Sequence, residues 1–233
     1  MNGLLRCARY ALAPNKLKYC GPDKNQELAA YVQNKASDGG LKEMLDDFGA
    51  MYPYLKLISE QNGIFDPFDE RVVEAYWLGN ERLDKVSLKS LYSHWGNKVT
   101  VKERKWLELK LPRGAKPNHQ FHVFNFINRT GHKAILHTVE TMDNCRISYG
   151  EILQNDQFSI FNFQVKTNKL VYRDGRLKLV RTVKGAQSLE KGYKFGDLVT
   201  MHWGFLCEKI NRQQARNLEK YTNLALKLAN LTI

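Results

Sequence analysis

The spacing of apolar residues changes once along this chain, after Val101-Lys-Glu-Arg-Lys105, and that change limits the fold more than any other feature. Before it, apolar side chains recur three and four residues apart: Leu28, Ala29, Val32 and Ala36; Met44, Leu45, Phe48, Met51, Leu55 and Ile58; Val72, Val73, Tyr76 and Trp77; Val86, Leu88, Leu91, Tyr92 and Trp95. Stripes of this kind turn one face of a helix towards a core. Asp38-Gly-Gly40, Asn62-Gly63 and Gly79-Asn80 separate the stripes, and the spacing of Asp23 and Gln26 predicts a capping box. Pro53 bends or splits the stretch 41–60, because it has no N–H for the helical ladder. Residues 2–18 show only a short, mixed pattern.

After the change the alternation is two-fold. Residues 106–112, 121–127, 134–139, 146–153, 158–165, 169–172 and 177–183 read as short strands, with an Asp174-Gly175 hairpin turn between the last two. Many short strands at such spacing favour a small barrel or sandwich. Residues 211–231 close the chain as a helix capped by Asn211, with Ala215, Leu218, Tyr221, Leu224, Ala225 and Leu228 on one face. The fold class that follows is α+β, with a helical domain over 1–106 and a β-rich domain over 107–233.

The chain of 233 residues carries no run of eighteen uncharged apolar residues, and Arg6 and Arg9 interrupt its N-terminal stretch. Neither a membrane span nor a signal peptide is expected, so the expected compartment is the cytoplasm. Cys7, Cys20, Cys145 and Cys207 form no close pair, which excludes zinc-ribbon and C-x-x-C spacing; reduced, mostly buried thiols are the default reading. The net charge of +12 is unevenly spread. Nine Lys/Arg face two acidic residues over 158–194, where Phe158, Phe161, Phe163, Tyr172 and Tyr193 are interleaved. A basic, aromatic β surface of this type suits single-stranded RNA, although alternation sends most of those rings inward.

His119-Gln-Phe-His122 is a second chemically capable run. Its i, i+3 spacing would share a helix face, but in a strand the two imidazoles point apart. With Cys20, these histidines are secondary metal candidates.

The densest stretch is Phe195-Gly-Asp-Leu-Val-Thr-Met-His202-Trp-Gly-Phe-Leu-Cys207-Glu-Lys-Ile210. Gly196, Asp197, Val199, His202, Gly204 and Phe205 stand in the order Gly-Asp-x-Val-x-x-His-x-Gly-Phe. This resembles the end of the small hydrogenase assembly chaperones of the HypC/HupF family. The family's opening Cys-x-x-x-Pro-Gly-x-Val is similar to Cys145-Arg-Ile-Ser-Tyr149-Gly150-Glu-Ile152, with Tyr149 in place of the proline and the cysteine internal rather than beside a free amino terminus. The resemblance covers about the last 90 residues and implies a HypC-like barrel over about 143–210. It implies that Cys145, assisted by His202, holds an iron unit carrying cyanide and carbon monoxide; with the cysteine internal and the proline lost, a chaperone-like scaffold whose Cys145 is structural stays open beside it. Trp203, Gly204 and Phe205 would then meet a partner, either a hydrogenase large subunit or a maturation scaffold protein. Strands opening at Cys145 and ending at His202 should bring both side chains to one partly exposed barrel rim. The expected function is accessory, in nickel–iron hydrogenase metal-centre assembly or delivery, acting through protein contact. An RNA-binding protein and a metal-dependent enzyme using His119, His122 or Cys20 stay open as alternatives.

Overall fold

The computed structural model describes residues 2–96, 99–126, 131–155 and 163–233. Its first helix, α1 (Gly3–Lys16), occupies what sequence reading left as a mixed segment. The Asn2 side chain caps it by accepting from the Leu4 and Leu5 N–H groups. Leu5, Cys7, Ala8, Tyr10, Ala11, Leu12 and Ala13 are all buried, so α1 is apolar nearly all round and lies inside the molecule. Its two arginines hide the pattern because both are neutralised internally. Arg6 meets Glu74 at 2.9 Å and Glu208 at 2.8 Å, and Arg9 meets Glu190 at 2.6 Å.

The expected stripes fold as α2 (Asn25–Asn34), α3 (Gly39–Asp46), α4 (Tyr52–Gln61), α5 (Glu70–Trp77) and α6 (Leu88–Trp95). Pro53 sits in the first turn of α4, so it starts a helix instead of bending one. Three expected strands are corrected. Residues 106–112 fall largely in α7 (Val101–Lys110), which Thr100 and Glu103 begin with a capping box. Leu107 and Lys110 are its buried positions, with Leu111 buried just past its end, and this i, i+3, i+4 spacing fits a helix as well as the alternation fits a strand. Residues 121–125 lie in α8 (His119–Asn125), whose seven residues are all buried. With every side covered, alternation carries no information about the period; Ile127 lies outside the described residues. Residues 134–138 form no regular element and lead into α9 (Val139–Cys145) at a Thr138–Thr141 capping box.

The strands are β1 (Ser148–Asn155), β2 (Phe163–Arg173), β3 (Arg176–Ala186), β4 (Leu198–His202) and β5 (Phe205–Lys209), in the antiparallel order β3-β2-β1-β4-β5. Gln187, just past β3, bridges Phe205 of β5: its N–H donates to the Gly204 carbonyl and its carbonyl accepts from Leu206, both at 2.8 Å. The two sheet edges therefore meet, and the sheet wraps around Ile152, Phe163, Val165, Ala186, Val199, Met201 and Leu206. Gly150 lets β2 come close, since a Cβ there would stand 2.2 Å from the Lys166 carbonyl oxygen.

A larger core runs from Cys7 to Ala229 and takes in both halves of the sequence, including Leu170, Leu177, Cys207 and Ile210 from the sheet side. The boundary expected near Trp106 falls inside α7. The helix α10 (Arg212–Ala229) lies against α8 and the start of β3, where the Gln120 amide donates to Thr222 at 2.6 Å and the Asn230 amide exchanges hydrogen bonds with Leu177. No helix among the described residues is long and apolar enough to cross a membrane.

Candidate metal centre

Three elements converge at the inner end of the sheet. Cys145 is the last residue of α9, a correction to the expected strand start, and β1 begins three residues later beside β4, with Ser148 opposite Met201. His202 follows Met201 at the end of β4. The Trp203 N–H donates to the Asn144 carbonyl at 2.8 Å, tying the β4–β5 turn to the end of α9. The side-chain amide of Gln120 pairs with the Ile147 backbone like a strand neighbour, accepting from its N–H at 3.1 Å and donating to its carbonyl at 2.7 Å. That clamp fixes α8, and with it His119, beside Cys145.

The donor atoms of His119, Cys145 and His202 consequently lie within 4.8 Å of one another. The two imidazole rings meet edge to face with centroids 5.0 Å apart, and Trp77 lies 4.7 Å from His119 and 5.8 Å from His202. Each ring is oriented by a backbone carbonyl. His202 Nδ1 is 2.7 Å from the Tyr10 carbonyl oxygen and His119 Nε2 is 2.8 Å from the Cys145 carbonyl oxygen. A carbonyl only accepts, so both of these nitrogens carry a proton, and in the neutral rings the lone pairs are on His202 Nε2 and His119 Nδ1. The Tyr76 hydroxyl lies 3.3 Å from His119 Nδ1. Burial raises the Tyr76 pKa well above its usual value, which keeps that hydroxyl a donor.

The partly exposed rim expected for Cys145 and His202 is a correction as well. They are 6% and 1% exposed, because α1, α5 and α8 bring Tyr10, Trp77 and His119 over that end of the sheet. The centre borders a cavity of about 40 Å³ that Cys20 and His122 also line, so every residue singled out as a metal candidate meets one space. His122 stands one helical turn from His119 on α8, which corrects the strand reading that separated them; its Nδ1 is 3.3 Å from the Tyr54 hydroxyl. His137 lines the cavity too and was missed, for it lies alone in sequence and only the fold brings it near the others. Cys7 and Cys207 follow the default reading. Burial pushes the Cys7 thiol up to about 12 and raises that of Cys207, where Glu208 adds to the effect, so both stay protonated.

Trp203 and Gly204 form the β4–β5 turn with φ of +50° and +77°, the paired positive angles of a type I′ hairpin. The half-buried Trp203 ring packs on Tyr19 at 4.9 Å, and Lys16 lies over the half-buried Phe205 ring. Of the aromatic residues placed on the basic β surface, Phe163 is in the sheet's own core with Tyr193 against it, Tyr172 is 53% exposed, and Phe158 and Phe161 lie outside the described residues. Lys184 pairs with Asp143, and Lys178 with Asp174.

No curated protein and no solved structure matches the chain. One family model covers residues 1–233, and the chain therefore belongs to DUF6390, a family of unknown function.

Proposed function

We propose that this protein is an accessory factor of metal-centre assembly that carries one soft or borderline transition-metal ion and acts by binding and protein contact. The observation that supports this reading is the clustering of His119, Cys145 and His202 donors within 4.8 Å inside the molecule. A metal-bound histidine ordinarily donates its other ring N–H to a carbonyl or carboxylate, which fixes its tautomer and orientation. Both histidines here already do so, through Tyr10 and Cys145. One thiolate with two imidazoles suits iron, zinc or copper better than magnesium or calcium. Three donors fall short of a closed four-ligand shell, which leaves a position for a small ligand or one more side chain.

The similarity of the stretches at 145–152 and 196–205 to the hydrogenase assembly chaperones names the cargo of this reading: an iron unit bearing diatomic ligands, on its way to a hydrogenase large subunit or maturation scaffold. The sheet closed by Gln187 is compatible with it. The test is affinity purification from the native cell under anaerobic conditions, followed by infrared spectroscopy and metal analysis. Cyanide and carbonyl bands with bound iron support the reading, and so does a co-purifying hydrogenase subunit. A metal-free chain with neither partner contradicts it. Nucleic-acid binding has less to rest on, since only Tyr172 among the described candidate aromatics is exposed.

A further inference from the structure

Fifteen residues line the cavity beside the centre, and twelve of them are buried. The three that are partly exposed are Cys20, Ala50 and His137. Two of these three are metal-ligand types, and we take them to mark the mouth, where the lining reaches solvent, while His119, Cys145 and His202 are 7%, 6% and 1% exposed. Neither mouth residue lies on a helix or strand: Cys20 follows α1, its N–H directed at the Pro14 carbonyl at 3.4 Å, and His137 precedes the Thr138 cap of α9. The Lys133 N–H donates to the Lys18 carbonyl at 2.9 Å, holding the two segments side by side.

We infer that Cys20 and His137 form an entry station for the metal, capturing the ion at the cavity mouth and passing it inward to Cys145, His119 and His202. The inference rests on the proposed metal-carrying role and adds how the enclosed site is filled. A hydrated ion cannot reach side chains under a tenth exposed without shedding water, and donors at the mouth replace that water stepwise. The steps balance as ligand exchanges with no change in oxidation state. On capture the Cys20 Sγ–H gives its proton to solvent as the metal–sulfur bond forms, and His137 coordinates through its neutral lone pair. On transfer the Cys145 Sγ–H gives its proton to the departing Cys20 thiolate as the Cys145–metal bond forms and the Cys20–metal bond breaks, while the His119 and His202 lone pairs replace that of His137. Cys20 supplies a soft donor, so the route favours the same class of ion as the centre itself.

The test follows the loading of the full-length apo-protein with Co(II) by stopped flow, read at the thiolate-to-cobalt charge-transfer band. Cys20→Ser keeps the side-chain size and removes the soft donor; His137→Gln is the second variant, and thermal melts of both apo-proteins check folding. Each is expected to bind one Co(II) at equilibrium, as the wild type does, but to load about tenfold more slowly. Wild-type loading rates in both folded variants overturn the inference while leaving the metal centre intact. Loss of binding in either folded variant also overturns it, by making that residue a ligand of the final site. No uptake by the wild type removes the metal-carrying reading itself, and the entry station with it.

Discussion

His202 Nδ1 donates to the backbone carbonyl of Tyr10 across 2.7 Å, joining the end of β4 to the middle of α1. The helical half of the chain thereby decides which nitrogen of a sheet histidine offers its lone pair. Tyr10 is held for this task by its hydroxyl, which lies 2.7 Å from Glu208 and 2.9 Å from Thr200. Metal-bound histidines are ordinarily oriented in this way, by a hydrogen bond from the second ring nitrogen.

The same α1–β5 seam carries a prediction about stability. Arg6 is 5% exposed and sits between Glu208, itself 3% exposed, and Glu74. Burial alone would lower the Arg6 pKa, but Glu208, Tyr10 and Glu74 raise it, so the guanidinium stays charged. Glu208→Gln should cost about 3 kcal/mol in urea unfolding, because it leaves a buried cation half compensated. A cost below about 0.5 kcal/mol, ordinary for a surface site, would show that the network is not held in solution.

Tyr76→Phe removes the hydroxyl that lies 3.3 Å from His119 Nδ1. In the apo-protein the loss should lower stability by about 1 kcal/mol. For a metal the same hydroxyl is a competitor, so affinity should rise about fivefold, the equivalent of ~1 kcal/mol. Calorimetric titration would show both effects; a fall in affinity would mean that His119 does not ligate through Nδ1.

Lys110 gives a pH signature. It is 2% exposed, its ammonium donates to Thr232 at 2.9 Å, and burial lowers its pKa from 10.5 to about 8. Between those values the unfolded chain binds a proton that the folded chain has lost, so stability rises with pH from about 8 to 10.5. Below about 8 the full cost of the buried charge applies. Lys110→Met should raise stability at pH 7 by roughly 1–3 kcal/mol and abolish the rise, each unit of separation being about 1.4 kcal/mol. Denaturant melts at pH 7, 9 and 10 would check this, and an unchanged slope would contradict it.

Two glycines should behave differently. Gly150→Ala puts a Cβ against the Lys166 carbonyl and should cost about 2–3 kcal/mol by forcing β1 and β2 apart. Gly204→Ala meets nothing within 4 Å and pays only for its φ of +77°, about 1 kcal/mol. Equal thermal shifts in the two variants would contradict the close β1–β2 approach.

Much of the helical half was legible because its stripes are interrupted by Gly and Asn at the right places, and the β2–β3 hairpin because Asp174-Gly175 is a strong turn signal. Helix α1 was not, since Arg6 and Arg9 read as breaks until Glu74, Glu190 and Glu208 are seen beside them. In α8 the run His119 to Asn125 is buried on every side, so its period is undefined in sequence; the Asn118 cap, which accepts from Phe121, was the signal that went unread. Cys145 and His202 were paired through a family resemblance. His119 joins them through the Gln120 clamp on Ile147 and through its own hydrogen bond to the Cys145 carbonyl, long-range contacts that no local pattern encodes.

The most direct test of the metal centre is an equilibrium titration of the apo-protein with Co(II). The wild type should bind one ion per chain with a thiolate-to-cobalt charge-transfer band and tetrahedral ligand-field bands. His119→Ala and His202→Ala should each weaken binding by more than about tenfold, since even outer-shell losses cost that much. Cys145→Ser should fold normally and lose the band at matched cobalt. A wild type that binds no cobalt, or a Cys145→Ser protein whose titration and spectrum match the wild type, would contradict the assignment of His119, Cys145 and His202 as the centre.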